Sequence, residues 1–170
     1  MTQFPFPADE KMIKHMQSRL GFGAFLGAKL PLAAFAGLRI DEFDAGKCAV
    51  SLPYGWRTQN PFRSIYFAAQ CMAAELSTGA LAMLAIQSSN ESVSMLVTNM
   101  SASFGKKATE RSTFLCVDGL QVFEAIDHTI QTGEGVTVDM HTVGTMPNGE
   151  QVSEFTFQWS FKKRSKKSRR

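Results

Sequence analysis

The chain is short of the residues that usually carry metal, redox or disulfide chemistry. Its 170 residues include only three cysteines and three histidines. Cys48, Cys71 and Cys116 are far apart, odd in number and not spaced as metal ligands. We therefore expect no disulfide framework and no metal site, and we interpret the cysteines as reduced thiols of a cytoplasmic protein.

Sequence signals of several other protein classes are also missing. Neither a glycine-rich phosphate loop nor a serine–histidine–aspartate arrangement can be identified. The first ten residues are polar and contain two prolines, which is not typical of a signal peptide. Arg63, Gln70 and Glu75 interrupt the longest apolar run, so we do not predict a membrane span.

Positive charge is scarce except at the C-terminus. The formal net charge is +3, but residues 161–170 alone contain seven basic residues and no acid. By difference, the rest of the chain carries about −4 and has no basic excess, which argues against nucleic acid as a partner. We expect residues 164–170 to form a basic, disordered tail, because such a composition cannot build a core.

What the chain does have is a composition for one globular domain, with 44% hydrophobic residues and fourteen phenylalanines. Residues 1–37 form an N-terminal helical segment in our interpretation. Apolar spacing predicts a helix from Asp9, its N-cap, to Leu20. Gly21 and Gly23 are expected to break it, and residues 24–36 to form a short helix and a turn. This segment either covers a groove or serves only for packing.

The longest predicted element is a helix over about 62–86, rich in alanine, leucine and methionine. Asn60 is its expected N-cap, and Pro61 suits a first helical turn. Apolar residues occupy every face, which indicates a helix surrounded by protein. Glu75 is its only acid and lies on a stripe of mostly small residues. A carboxylate there is costly unless it is paired, hydrogen-bonded or functional.

The remaining pattern predicts an α+β domain. Strands are predicted over 38–43, 47–53, 93–104, 111–117, 136–146 and 151–161, with a short helix over 120–131. A long apolar helix is best buried by a curved antiparallel sheet wrapped around it. One sheet leaves the opposite flank of the helix open, so we expect a homodimer, with a tetramer as the larger alternative.

Four stretches carry a family resemblance: Asn60-Pro61-Phe62-Arg63-Ser64-Ile65-Tyr66-Phe67-Ala68-Ala69, Glu75-Leu76-Ser77-Thr78-Gly79, Thr132-Gly133-Glu134-Gly135 and Phe155-Thr156-Phe157-Gln158-Trp159-Ser160-Phe161-Lys162. With the order of elements over 38–163, they resemble the hotdog-fold thioesterase superfamily. The chain is most similar to an uncharacterised thioesterase-like group related to the phenylacetyl-CoA-type thioesterases. The resemblance implies a hotdog fold for residues 38–163.

The resemblance also implies an acyl-CoA thioesterase, in which coenzyme A belongs to the substrate and no separate cofactor is needed. Thioesterases of this superfamily commonly have an asparagine, then His-Gly-Gly, then a helix acid. Asn60, Tyr66 and Glu75 keep these spacings, although Tyr66-Phe67-Ala68 replaces His-Gly-Gly. By resemblance, these three residues are the catalytic candidates, with Glu75 as base or nucleophile.

The substrate-binding candidates are Phe67, Ala68, Arg63 and Ser64. The backbone N–H groups of Phe67 and Ala68 could stabilise an oxyanion at the helix N-terminus. In this superfamily, sites are built at the dimer interface from both chains.

Two alternatives stay open. The altered Tyr66-Phe67-Ala68 stretch is compatible with a non-catalytic protein that binds acyl thioesters or fatty acyl groups. At the residue level, Glu75 could be a structural carboxylate paired with Arg63 or with a donor of a second chain. Asn60 could be only a helix cap, and Tyr66 only a core aromatic residue.

Overall fold

The computed structural model describes residues 3–165, so residues 166–170 of the predicted basic tail lie outside the described part of the chain. Five helices and six strands follow one another as α1 (Glu10–Gln17), α2 (Arg19–Lys29), α3 (Pro31–Ala36), β1 (Arg39–Phe43), β2 (Cys48–Leu52), α4 (Phe67–Ser88), β3 (Val93–Phe104), β4 (Ser112–Cys116), α5 (Gly119–Thr132), β5 (Val136–Thr145) and β6 (Gln151–Lys163).

The six strands form one antiparallel sheet in the order β1-β2-β4-β5-β6-β3. The sheet curves around α4, which confirms the predicted hotdog fold. β1 and β3 are the two edges, and β3 pairs with β6 along its whole length. The register agrees with the predicted alternation, because Met140 and Thr142 of β5 are buried while Asp139 and His141 are exposed.

The central helix α4 begins five residues later than predicted. Its N-cap is Tyr66, and Asn60 does not cap it. The Asn60 Oδ1 atom instead accepts hydrogen bonds from the Phe62 and Ser64 N–H groups, which closes a turn over 60–64. Arg63 sits in this turn with a positive φ of 57°. The side chain of Asn60 therefore competes with helix formation, as asparagine commonly does.

Three buried hydrogen bonds join α4 to the sheet. The Ser153 hydroxyl of β6 donates to Gln70 Oε1 over 2.7 Å. Ser77 and Thr142 Oγ atoms are hydrogen-bonded at 2.9 Å, and the Trp159 indole N–H donates to Thr78 over 3.0 Å. Such bonds fix the rotation and depth of the helix, since leaving any buried partner unsatisfied is costly.

Helix α4 is long and apolar enough to cross a membrane by length and composition alone. In the fold, however, 72% of its most apolar window is buried. The interior position agrees with the predicted core helix, and it explains why apolar side chains occupy all its faces.

The N-terminal segment contains three helices, which differs from the prediction. Asp9 caps α1 as expected, because its carboxylate accepts from the Lys11 and Met12 N–H groups. The break falls at Ser18 and not at the glycines. Gly21 lies inside α2, and a Cβ there would be 2.6 Å from the His15 carbonyl oxygen. Glycine at this position thus permits the close α1–α2 approach.

Candidate functional site

The segment before α4 is a rigid turn built around Asn60. Besides the two backbone contacts, its side chain hydrogen-bonds the Ser64 hydroxyl at 3.1 Å. The next residues are held by backbone bonds, from Ile65 N–H to the Ala108 carbonyl and from Tyr66 N–H to the Thr58 carbonyl, both 2.7 Å. Asn60 and Ser64 therefore position the start of α4.

The N-terminus of α4 carries free backbone donors. Tyr66 makes no side-chain capping hydrogen bond. Within residues 3–165, the N–H groups of Phe67 and Ala68 donate to no protein acceptor, whereas Ala69 and Gln70 donate to the Tyr66 carbonyl. Phe67 and Ala68 are both exposed. Two donors and the positive end of the helix dipole are thus open to a carbonyl oxygen or an anion.

Glu75 lies two turns further along α4, where it is partly buried on the stripe of mostly small residues. Within the described residues 3–165, its carboxylate makes no hydrogen bond and no ion pair. Burial raises the pKa of this carboxyl above its ordinary value. The structure therefore contradicts the alternative in which Arg63 neutralises Glu75. An unpaired, partly buried carboxylate is a typical feature of functional sites.

The surroundings of Glu75 come from α4 itself and from β6. A Cβ added at Gly79 would lie 3.2 Å from Glu75 Oε1 and 3.3 Å from the Trp159 ring. The glycine thus lets the carboxylate fold down beside the indole. Cys71, one turn before Glu75, is partly buried, and both its burial and the charge of Glu75 raise the pKa of its thiol.

A row of aromatic rings connects the N-terminus of α4 with the core. The Phe67 ring contacts Tyr66 at 4.9 Å and Phe104 at 6.2 Å, measured between ring centroids. Phe104 in turn contacts Phe155 edge-on at 5.6 Å. Tyr66, Phe67 and Phe104 are exposed and Phe155 is buried. An apolar group that approaches the free N–H donors would therefore meet aromatic surface.

The predicted site residues fall into two groups. The first group lies together at the start of α4 and consists of Asn60, Ser64, Tyr66, Phe67 and Ala68. Arg63 is exposed on the same turn.

Glu75 lies seven residues after Ala68 on the same helix face, which corresponds to about 10 Å along the axis. Within one chain, the free donors and Glu75 are therefore separated by about two turns of α4.

Sequence reasoning missed Trp159 as a neighbour of Glu75. Cys71 lies one turn before Glu75 on the same stripe, as the spacing of four residues requires. Trp159 belongs to a quoted motif, but only the three-dimensional packing of β6 against α4 brings it to Gly79. Within residues 3–165, no three histidine, cysteine or acidic side chains converge as ligands of a metal ion.

Comparison with protein families gives one match. The family model described as "Domain of unknown function (DUF4442)" matches residues 19–161. No curated protein sequence matches the chain.

Solved structures of similar fold cover nearly the whole chain. A protein with unknown function from Chlorobaculum tepidum has a TM-score of 0.75 at 17% identity, and the alignment covers 92% of this chain and 98% of that one. A Pseudomonas aeruginosa protein of unknown function, described as a probable thioesterase, has a TM-score of 0.72 at 20% identity and covers 88% and 99%. A Haemophilus influenzae thioesterase reaches 0.64 at 11% identity and covers 86% and 91%. At these identities the likeness establishes the fold.

Proposed function

This chain belongs to the DUF4442 family, and we propose that it is a thioesterase-like enzyme that hydrolyses acyl thioesters, with acyl-CoA as the substrate. The observation that carries the proposal is Glu75, a partly buried carboxylate without a partner within residues 3–165. Leaving it unpaired lowers stability, so a role in chemistry explains its presence better than a role in folding. Structural neighbours described as thioesterases support the same reaction class.

The proposed reaction uses the two groups of the site in different roles. Glu75 takes a proton from a water molecule, and the water oxygen attacks the thioester carbonyl carbon. The N–H groups of Phe67 and Ala68 stabilise the oxyanion that forms. When the oxyanion collapses, the carbon–sulfur bond breaks. The sulfur leaves as a thiolate that takes up a proton, and the acyl group leaves as a free acid.

In this proposal the site is shared between two copies of the chain. Ala68 and Glu75 are separated by about 10 Å of helix axis, and in this proposal Glu75 of one chain acts with Phe67 and Ala68 of the other. The long edge strand β3, with exposed Leu96, Met100 and Phe104, supports pairing along that edge. We propose a homodimer with two such sites, or a tetramer of two dimers.

The acyl group would lie against the aromatic row formed by Phe67, Phe104 and Phe155. These rings favour an apolar or aromatic acyl group over a polar one. We also propose a relation to the phenylacetyl-CoA-type thioesterases and a cytoplasmic location. The free cysteines support the cytoplasmic location.

A second candidate function is acyl binding without turnover. Tyr66 stands where thioesterases of the hotdog-fold superfamily commonly have a histidine, and Phe67 stands where they commonly have a glycine. The exposed Phe67 ring is much bulkier than a glycine and belongs to a residue that supplies one of the free N–H donors. This observation favours a protein that holds an acyl thioester and hydrolyses it slowly or not at all.

One experiment separates the two functions. Thiol release is measured from a panel of acyl-CoA esters with the wild type, Glu75→Gln and Glu124→Gln, in which the control acid is exposed on α5. We expect the wild type to hydrolyse at least one ester and Glu75→Gln to lose about 100-fold or more, the usual scale for a lost general base. Glu124→Gln should keep wild-type turnover.

Three other outcomes would contradict part or all of the proposed hydrolysis. A folded Glu75→Gln protein with wild-type turnover would remove Glu75 from the mechanism. A wild type that binds acyl-CoA in calorimetry but releases no thiol would establish the binding function. A wild type that neither binds nor hydrolyses any acyl-CoA would contradict both.

A further inference from the structure

Large apolar side chains are exposed on the N-terminal helices and on the loop that follows β2. We call Leu20, Leu30, Leu32, Phe35 and Trp56 the N-terminal patch. Leu20 is 87% exposed, Leu32 67% and Trp56 76%. Side chains of this size are rarely left so open when no partner covers them, and a cluster of them indicates an interaction surface.

Four of the five patch residues lie within residues 20–35, and Phe35 joins them to Trp56 by direct contact. On α2, Leu20 is followed on the same face by exposed Ala24 and Gly27, and the chain then reaches Leu30. On the next helix, the Phe35 ring packs edge-on against Trp56 with 6.0 Å between centroids. The Arg57 guanidinium lies 5.9 Å from the centre of the Phe35 ring.

The chain segments that supply the patch carry charge of one sign only. Between Glu10 and Asp41 the sequence contains no acid, whereas it contains five basic residues: Lys11, Lys14, Arg19, Lys29 and Arg39. Similarly, no acid occurs between Asp44 and Glu75, the stretch that supplies Trp56 and Arg57. The segments that present these apolar side chains thus contain cations and no acid, although the chain outside the C-terminal tail is acidic by difference.

Two of these cations line a cavity that α2, the helix carrying Leu20, helps to form. The cavity has a volume of about 460 Å³ and lies between α2 and the start of β1. Arg19 and Arg39 line it together with apolar Phe22 and Leu26. A cavity with apolar walls and two guanidinium groups suits a molecule with an acyl chain and a negatively charged headgroup.

The position of the patch separates it from the surface that we assign to a second copy. The cavity joins α2 to β1, which is one edge of the sheet, whereas β3 is the other edge. A dimer formed along β3 would therefore leave the N-terminal patch uncovered.

We propose that the N-terminal patch docks on the surface of an anionic lipid bilayer. Leucine, phenylalanine and tryptophan side chains enter the boundary between headgroups and acyl chains, and the lysines and arginines lie among the lipid phosphates. Tryptophan is characteristic of this boundary because its ring is apolar and its N–H is polar. A bilayer fits this surface better than an acidic protein does, because the most exposed residues of the patch are large and apolar. This inference does not depend on the proposed thioesterase activity.

Co-sedimentation with vesicles tests the proposal on the full chain. We expect the wild type to bind vesicles of phosphatidylcholine with phosphatidylglycerol, and to bind pure phosphatidylcholine much more weakly. Leu32→Ser and Trp56→Ser should each weaken binding about ten-fold or more, because each removes a large apolar group from the lipid. Val117→Ser is the matched control, since Val117 is 64% exposed outside the patch.

The charge contribution has its own matched pair. Lys29→Gln should weaken binding to the anionic vesicles about five-fold, as expected for one basic residue near such a surface. Lys107→Gln, an exposed lysine of the β3–β4 connection, should leave binding unchanged. All these positions are exposed, so unchanged melting temperatures would show that the variants fold.

Tryptophan fluorescence reports the contact directly. Trp159 is buried, whereas Trp56 is exposed, so vesicles should shift the emission of Trp56 alone to shorter wavelength. The shift should be absent in Trp56→Ser.

Three results would overturn the proposal. The first is no binding of the wild type to anionic vesicles at low salt. The second is wild-type binding by the patch variants, which would assign the attraction to the basic residues of 162–170. The third is a change of oligomeric state in buffer caused by Leu32→Ser or Trp56→Ser, which would make the patch a protein interface.

Discussion

At the scale of single residues, the unpaired carboxylate of Glu75 controls the properties of the candidate site. Burial raises the pKa of Glu75, so the folded protein binds this proton more tightly than the unfolded chain does. The contribution of Glu75 to stability is therefore fully present below its unfolded pKa of about 4.5 and is lost as pH rises through the raised folded pKa. Activity should show the opposite trend, because a general base must be deprotonated.

We predict that Glu75→Gln is more stable than the wild type at neutral pH. The substitution removes a charge that is partly buried without a partner within residues 3–165, and stabilised variants of functional sites often lose activity. The difference in melting temperature should shrink as pH falls through the raised pKa, where the wild-type carboxyl is neutral. Thermal unfolding followed by circular dichroism across this pH range measures both effects. A less stable Gln variant at neutral pH would show that a donor, for instance from a second chain, stabilises the carboxylate.

The three cysteines should differ in reactivity. Burial raises the pKa of Cys48 well above its usual value and that of Cys116 to about 12, so neither forms the thiolate that alkylating agents require. Cys71 is only partly buried. We predict that iodoacetamide modifies Cys71 alone in the native protein, as mass spectrometry would reveal, and that Cys71→Ser abolishes the adduct.

The reactivity of Cys71 also reports on Glu75. Burial raises the pKa of the Cys71 thiol, and the charge of Glu75 raises it further. Glu75→Gln should therefore speed the alkylation of Cys71 at neutral pH, whereas Glu124→Gln should not. Equal rates in all three proteins would mean that the two side chains are not close in solution.

At the scale of helices and strands, the sequence predicted most of the architecture. The alternation of Val136, Val138, Met140 and Thr142 identified the buried face of β5, and the apolar composition of α4 identified it as the core helix. Such patterns are set by burial and are therefore visible in sequence. The predicted start of α4 was wrong because Asn60 is equally suited to a helix cap and to the turn that it forms. Tertiary contacts decide between these two roles.

The hydrogen bond between Thr78 and Trp159 illustrates a contact that sequence patterns do not reveal. The Trp159 N–H is buried and donates to the Thr78 hydroxyl, which is itself buried. We predict that Thr78→Val lowers the free energy of unfolding by about 1–3 kcal/mol, because the indole N–H loses its acceptor.

Thr78→Ser keeps the hydroxyl and should cost less than Thr78→Val. Trp159→Phe combined with Thr78→Val tests the pair as a double-mutant cycle in urea unfolding. Strict additivity of the two single changes would show that the bond contributes nothing to the docking of α4 on β6.

At the scale of the whole molecule, the fold leaves two sheet edges in different environments. β1 is accompanied by the N-terminal helices, which share a cavity with it, whereas β3 offers twelve residues along the other edge. Sequence analysis could infer the need for a second copy from the apolar helix, but not the surface that it uses. That surface depends on strand order, and strand order is determined by contacts between residues far apart in sequence. The separation of Glu75 from the free N–H donors, by contrast, follows from helical rise alone once the start of α4 is known.

The protein should be a dimer that forms along β3. An uncovered strand of this length presents unpaired backbone groups together with exposed Leu96 and Met100, and a second antiparallel copy would cover both. We predict that analytical ultracentrifugation at micromolar concentration yields a species of twice 18.7 kDa, or a multiple of it. Leu96→Lys with Met100→Lys should shift the mass towards 18.7 kDa, because lysines meet across the two-fold axis.

Leu115→Lys is the matched control for this variant, since Leu115 is similarly exposed on β4 away from the edge. It should leave the mass unchanged. If the site is shared, thioester hydrolysis per chain should fall with the dimer fraction in the β3 variant and recover as its concentration rises. Hydrolysis by a strictly monomeric β3 variant at the wild-type rate would place Glu75 and its oxyanion donors within one chain. A wild type that sediments only at 18.7 kDa would reject the dimer itself, and with it the shared site.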